Sequence, residues 1–380
     1  MTGQRWTPAA GILDADLAID AALEGWAKAR TPAANAQSLA RSGAIHVLGR
    51  NALAEGLLSR FPVAGLVDDS ADGGLWAGTI PVVPSHALVP GSVVVNCSTA
   101  IAPLSAGRRL AAQPGVTVVP YCALIDCQDG CPLPEFVIAG RQDIDCNRRQ
   151  YRTLEARLQD AESRRILRQL LDFRLTADPA FMESFSVRTR DQYFEPFLGS
   201  MDAAVFVDCG GYDGDTTELF AARYPAYARI HCFEPSPSNL ALARLRLQGL
   251  RDVELIGLGV SDVPGRLAFD AGSGSASAVG GDGDTAIEVT TVDRYLAGPV
   301  SFIKMDLEGW ELKALAGAER HIRDEAPALA IAVYHDIRDF WRIPQWVLGV
   351  RDDYEIALRH YTEGWSETIM YFVPRSAARR

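Results

Sequence analysis

The sequence predicts an α/β protein built from two Rossmann-like, doubly wound units joined by a helical linker, the second unit being the larger. Three observations predict it. Short apolar, β-branched runs alternate with segments of helical periodicity along most of the chain. The stretch Val205 to Thr217 sets Asp208 and the glycines Gly210, Gly211 and Gly214 directly after such a run, where a strand would turn sharply into a helix. The next run, Arg229 to Phe233, ends in Glu234. Doubly wound folds place an acid there, about 20 residues past the glycine turn, to accept hydrogen bonds from ribose hydroxyls.

Composition sets the outer limits. A chain of 380 residues with 48% hydrophobic and 22% charged residues is too long for one core. Its formal charge of −11, from 37 basic and 48 acidic residues, argues against a nucleic-acid partner. No apolar run approaches the roughly 20 residues that span a bilayer, and the first residues lack the basic and apolar segments of a signal peptide. A cytoplasmic location is expected, with no membrane partner. The seven cysteines are an odd number and are expected to be reduced. Cys122, Cys127, Cys131 and Cys146 cluster in sequence, but their spacing fits no zinc knuckle, so they read as ordinary thiols. Cys209 and Cys232 read as strand packing residues.

In order, residues 1–42 form a helical segment with Leu17, Ala21 and Trp26 on its apolar side, a docking element that makes a homodimer reasonable. Residues 43–135 form the smaller Rossmann-like domain: strands at Ala44 to Leu48, Val63 to Val67, Ile80 to Val83, Ser92 to Val95 and Val116 to Val119, with helices at Ala52 to Ser59 and Leu104 to Ala112. A nucleotide there would sit at Gly49 with Asp68 on its ribose, although Gly49-Arg50-Asn51 lacks the further glycines of a dinucleotide fingerprint. Residues 136–200 read as a helical linker, with Leu154, Leu158, Ala161, Leu167, Leu170 and Leu171 inward. Arg164, Arg165 and Arg168 then form a solvated face. Asp191-Gln192-Tyr193-Phe194 either closes over a cofactor, through Tyr193, or packs in the core.

Residues 201–374 form the larger domain, and 375–380 a tail. After Glu234, Ser236 and Pro237 start a helix with Leu240, Ala243 and Leu247 on one face. Strands follow at Val253 to Leu258, Ser301 to Met305, Ala328 to Tyr334, Tyr354 to Leu358 and Glu367 to Phe372, with a Gly/Ser-rich loop at Gly272 to Asp284. The glycine turn also selects its ligand. Asp208, Tyr212, Asp213 and Asp215 crowd it, and carboxylates repel a pyrophosphate but could hold the ammonium and ribose of S-adenosylmethionine. Asp208, Gly210, Gly211, Tyr212, Asp213, Gly214 and Glu234 are the cofactor-binding candidates. Asp306 and Glu308 end the strand at Ser301 to Met305 and should face the same crevice.

At this point the motifs are recognisable. Asp-Cys-Gly-Gly-Tyr-Asp-Gly-Asp-Thr from Asp208, His-Cys-Phe-Glu-Pro from His231 and Ile-Lys-Met-Asp-Leu-Glu-Gly-Trp-Glu from Ile303 resemble the FkbM family of S-adenosylmethionine-dependent methyltransferases. The likeness runs from about Tyr151 to Pro374 and takes in Val333-Tyr334-His335, Asp339 to Pro344 and Leu358-Arg359-His360-Tyr361. Gly211-Tyr212 stands where many relatives have Ala-Asn. The resemblance implies a class I methyltransferase fold and methyl transfer to a hydroxyl on a saccharide, sugar nucleotide or natural product.

An alcohol is a poor nucleophile, so a base is useful. His335, at the end of a strand, is the first candidate, and a packed histidine is its bland alternative. Asp306 is the second, and Lys304 either faces the site or makes a salt bridge. Two carboxylates, Asp306 and Glu308, are too few to define a metal site, so no metal is assigned. Glu308 and Glu311 could equally be first-turn acids on a helix dipole. Glu308, Tyr334, Arg359, His360 and Tyr361 are the substrate-side candidates. A different class, a non-catalytic nucleotide or sugar-nucleotide binding protein with two Rossmann-like domains, stays open.

Overall fold

The computed structural model describes residues 43–71, 73–125, 131, 133–269 and 285–375. The described chain forms two compact units. The predicted N-terminal helical segment, Cys127, the loop at Gly272 to Asp284 and the tail from 376 lie outside the described residues.

The first unit comprises 43–152, Arg165–Val187 and Tyr361–Ser366. Its strands are β1 (Ile45–Leu48), β2 (Val63–Val67), β3 (Leu75–Trp76), β4 (Ile80–Val83), β5 (Val93–Asn96) and β6 (Thr117–Pro120). They lie in the order β3-β4-β2-β1-β5-β6, all parallel except β3 against β4. Helix α1 (Ala52–Leu58) begins where Asn51 accepts hydrogen bonds from the Leu53 and Ala54 amides, each 3.1 Å long. Helix α2 (Pro103–Ala111) opens on a proline. The alternation predicted from Gly43 is present, and the two-residue β3 was too short to signal itself.

The nucleotide candidates of this unit are already engaged. Asp68 accepts from the Ser70 amide at 3.0 Å and hydroxyl at 2.6 Å and pairs with Arg50. Gly49 (φ +106°) lies so near Ser98 that a Cβ would fall 2.8 Å from its backbone. Its freedom serves that close approach. Cys122 and Cys131 are buried and Cys146 is exposed.

Helices α3 (Glu135–Arg157) and α4 (Ala161–Thr176) occupy the predicted linker. Each is divided between the units: Thr153–Arg164 belongs to the second. Leu154, Leu158, Leu167, Leu170 and Leu171 are buried as their spacing predicts. Ala161 is exposed instead, and Ser163 is the buried residue of that turn. Its hydroxyl accepts from the Leu358 amide at 2.9 Å.

The second unit adds Arg188–His360 and 367–375. Its main sheet holds β7 (Val205–Cys209), β8 (Arg229–Phe233), β9 (Val253–Ile256), β13 (Phe302–Met305), β14 (Ala328–Ala332), β15 (Tyr354–His360) and β16 (Thr368–Pro374). The order is β15-β16-β14-β13-β7-β8-β9, with β16 antiparallel to both its neighbours and the rest parallel. A small second sheet, β10 (Gly259–Val260), β12 (Thr285–Thr290) and β11 (Gly265–Phe269), follows β9. The predicted single strand to Leu258 is thus divided at Gly257. Strand β11 carries no apolar alternation strong enough to have marked it.

Helices α5 (Asp215–Arg223), α6 (Pro237–Arg246), α7 (Val292–Tyr295), α8 (Glu311–Ala316), α9 (Glu319–Glu325) and α10 (Asp339–Val350) complete the unit. Phe206 of β7 stacks on Phe220 of α5 at 4.2 Å and on Phe302 of β13 at 5.1 Å. Aromatic burial of this kind fixes the central strands. Strand order reverses between β7 and β13, so the crevice outside their carboxyl ends is the expected ligand site.

Candidate functional site

A crevice of about 870 Å³ opens where predicted, at the ends of β7, β8 and β13. That is near the upper end of small-molecule sites. Its acids are Asp215, Glu218, Glu234, Asp306, Glu308 and Glu367, against the cations Lys304 and Arg190. Lys304 is itself neutralised, with Nζ 3.0 Å from Asp208 Oδ1, so the crevice is strongly anionic.

At one end, Glu234 follows β8 and accepts from the Tyr212 amide at 2.9 Å and the Ser236 amide at 2.8 Å. These two bonds join the glycine turn to the start of α6. Ser236 stands at the N-cap position, with no cap bond from its side chain. Burial raises the Glu234 carboxyl above its ordinary value, and the two amides only partly offset that. Gly210 (φ +83°) and Tyr212 (φ +47°) also line this end.

The other end is built on β13 and the turn after β14. Asp306 Oδ2 accepts from the Tyr193 hydroxyl at 2.5 Å, and Tyr334 donates to Oδ1 at 3.3 Å. His335 stands behind Asp306 and Glu308, its side chain 7% exposed. Its Nδ1 lies 3.0 Å from Glu311 Oε1, and Nε2 lies 3.2 Å from Glu308 Oε2 and 3.5 Å from Asp306 Oδ1. Burial opposes charge on the ring, but Glu308, Glu311 and Asp306 more than reverse it and hold His335 well above its ordinary value. A protonated ring has no lone pair to take a proton, so the catalytic-base role is not the one this environment favours.

The remaining candidates divide clearly. Gly211 faces the sheet, where a Cβ would fall 2.1 Å from Cys232 Sγ. Gly214 (φ +87°) caps α5 against Leu247. Asp213 is held by Arg246 and does not line the crevice. Arg359 and His360 are also corrected: neither lines the crevice. Arg359 donates to Ser163 at 2.8 Å and pairs with Asp160 at 3.2 Å, while His360 bonds Thr368. Tyr361 is buried in the segment assigned to the first unit.

Glu367 was missed as a site residue, and Gln192 was read only as part of the stretch around Tyr193. Gln192 donates to Glu367 at 2.6 Å, and burial with the nearby Asp306 pushes the Glu367 carboxyl up to about 7. A structural signal picks out this lining without reference to chemistry. Nine described non-glycine residues have positive φ, and four of them, Tyr193, Tyr212, Glu308 and Glu367, line the crevice. Strained backbone of this kind concentrates at functional sites.

Asp339, at the start of α10, makes a pH prediction. Burial, then Glu311 and Asp336, push its carboxyl up to about 8. The folded state therefore binds more protons than the unfolded between the ordinary value of 3.8 and about 8, so stability falls as pH rises through that window. Asp339→Asn removes the titration and is expected to flatten the fall by on the order of a few kcal/mol. Urea midpoints at acid, neutral and alkaline pH measure it; parallel curves for the two proteins would refute the buried neutral carboxyl.

The family model described as the methyltransferase FkbM domain matches residues 208–363. Among solved structures, the methyltransferase FkbM from Methylobacillus flagellatus KT is similar at 24% identity and TM-score 0.68, over 93% of this chain and 99% of that one. It shares the fold. An rRNA methylase from Streptococcus thermophilus matches at 17% identity and TM-score 0.33, over 47% of this chain and 90% of its own. Aeropyrum pernix fibrillarin, in complex with natively bound S-adenosyl-L-methionine, matches at 13% and 0.32, over 49% and 71%. No curated protein matches the chain. Among the described residues no helix is long and apolar enough to cross a membrane.

Proposed function

We propose, because residues 208–363 match the family model described as the methyltransferase FkbM domain, that the second unit is an S-adenosylmethionine-dependent O-methyltransferase acting on a hydroxyl of a saccharide, sugar nucleotide or natural product. The observation that carries the cofactor is the charge of the crevice. Six acidic side chains line it, of which Glu218 is paired with Arg246 and Glu367 is pushed up to about 7, and of its two cations Lys304 is already paired, so the balance stays negative. A pyrophosphate would be repelled there, whereas the ammonium and sulfonium of S-adenosylmethionine would be drawn in.

The residues present fit that cofactor. Glu234, whose two oxygens each accept one backbone amide, keeps lone pairs for ribose hydroxyls. Gly210 and Tyr212 offer backbone beside it. The cofactor supplies an activated methyl group, so the protein's task is chiefly to hold the acceptor oxygen in line, which is worth about 7–11 kcal/mol. We place the acceptor at the Asp306 and Glu308 end, where a carboxylate oxygen accepts the hydroxyl's proton as the acceptor oxygen takes the methyl group and S-adenosylhomocysteine leaves. Tyr193 and Tyr334 orient Asp306.

Calorimetric titration of the purified protein with S-adenosylhomocysteine, NAD and a sugar nucleotide tests the reading. S-adenosylhomocysteine alone is expected to bind. Glu234→Ala should weaken it by about 1.5–3 kcal/mol, roughly 10- to 150-fold, if the carboxylate accepts ribose hydrogen bonds. Binding of NAD instead, or unchanged affinity in the variant, would overturn the assignment.

A further inference from the structure

Asp306, Glu308 and His335 are three potential ligands whose donor atoms all lie within 4.8 Å of one another. The geometry points to a site for one divalent cation, held by a carboxylate oxygen of Asp306, Oε2 of Glu308 and Nε2 of His335. A cation bound at about 2.1 Å from each ligand places neighbouring donors about 3 Å apart. The observed separations from Nε2 are 3.2 Å to Glu308 and 3.5 Å to Asp306, so side-chain adjustments of a few tenths of an ångström close the set.

A second observation is independent of the acids. His335 Nε2 is a buried polar atom with no hydrogen-bond partner, on a side chain 7% exposed and aimed between the two carboxylates. Buried polar atoms are seldom left this way. The other ring nitrogen is committed: Nδ1 lies 3.0 Å from Glu311 Oε1, and Glu311 is fully buried. With Nδ1–H donating to Glu311, an arriving cation displaces the Nε2 proton to solvent and takes the lone pair that then faces the two carboxylates. That carboxylate–histidine arrangement is how metal-ligating imidazoles are oriented.

The supports are fixed by the fold. Asp306 follows β13 immediately, and His335 lies three residues past the end of the neighbouring β14. Glu311 also accepts from the Leu307 amide at 2.7 Å, which ties α8 to the turn bearing Glu308. Asp306 Oδ2 is held by Tyr193 at 2.5 Å. One imidazole nitrogen and two carboxylate oxygens suit Mn²⁺ or a similar first-row cation and not a thiophilic one. The remaining positions face the crevice that Asp306 and Glu308 line. On the methyltransferase reading, one of them would take the acceptor hydroxyl, which becomes more acidic there and can pass its proton to the Glu308 oxygen that does not hold the cation.

The test uses full-length, chelator-treated protein titrated with Mn²⁺, read by electron paramagnetic resonance and calorimetry, with S-adenosylhomocysteine titrated separately. One saturable Mn²⁺ site is expected. Glu308→Gln and His335→Ala should each weaken it by about tenfold or more, and Glu311→Gln by about 10- to 100-fold through loss of ring orientation. Glu308 is partly exposed, so its variant guards against misfolding, and retained S-adenosylhomocysteine affinity certifies each fold. Lack of saturable Mn²⁺ binding in protein that binds S-adenosylhomocysteine would overturn the proposal, as would Mn²⁺ affinity unchanged from the parent in both Glu308→Gln and His335→Ala. Mn²⁺ binding without S-adenosylhomocysteine binding would support the cation site while removing the methyltransferase reading.

Discussion

Gly210→Ala is expected to disrupt the second unit and with it all cofactor binding. Gly210 has φ +83°, and a Cβ there would sit 2.0 Å from the backbone oxygen of Asp306. That oxygen has nowhere to go. The Asp306 amide donates to Cys209 O at 3.2 Å, and the Gly210 amide donates to Phe233 O at 3.0 Å, so β7 is tied on both sides at this level. Left-handed backbone costs an alanine about 1–3 kcal/mol, and forced overpacking adds about 1–3 kcal/mol more. The sum is a large share of a typical stability of about 5–15 kcal/mol. A fall in melting temperature on the order of 10 °C is expected, with S-adenosylhomocysteine no longer raising it. A variant that melts like the parent and still responds to S-adenosylhomocysteine would show that the turn is not packed as described.

Gly210 also shows what a sequence makes legible. The glycine turn, the acid ending β8 and the acid ending β13 could be read because each is a local demand: a backbone that must turn, and strand ends that must face one crevice. Asp213, Arg359 and His360 could not be placed by such reasoning. The partner of Arg359 is Asp160, 199 residues earlier, and the partner of Asp213, in the turn before α5, is Arg246 at the end of α6. Long-range pairing decides which way these side chains point, and it has no local signature. The environment of His335 is of the same kind: Glu311 is a first-turn acid as read, Glu308 lies in the turn before that helix, and only the adjacency of β13 and β14 brings the histidine to them. Strain is equally silent, since nothing in the chain marks Tyr193 or Glu367 for positive φ.

The second large effect comes from Lys304→Met. Lys304 is 3% exposed and Asp208 is fully buried, with 3.0 Å between Nζ and Oδ1. Lys304 also donates to the Gly210 carbonyl at 2.6 Å, and Thr217 donates to Asp208 Oδ2 at 2.8 Å. Burial works against the ammonium, but Asp208 and then Asp306 more than compensate, so Lys304 is held above its ordinary value and stays charged. For Asp208 the balance runs the other way: burial raises its carboxyl and Lys304 only partly offsets this. The carboxylate thus depends on its partner. Removing the ammonium leaves a buried charge with only a hydroxyl to hold it, which destabilises by about 3–5 kcal/mol. Replacing both groups, Lys304→Met with Asp208→Asn, is expected to recover much of that loss, because no unpaired charge remains. Urea unfolding of the four proteins in this cycle measures the coupling. Additive losses in the double variant would mean that the pair is not the support of the turn, and that Lys304 acts on the crevice alone.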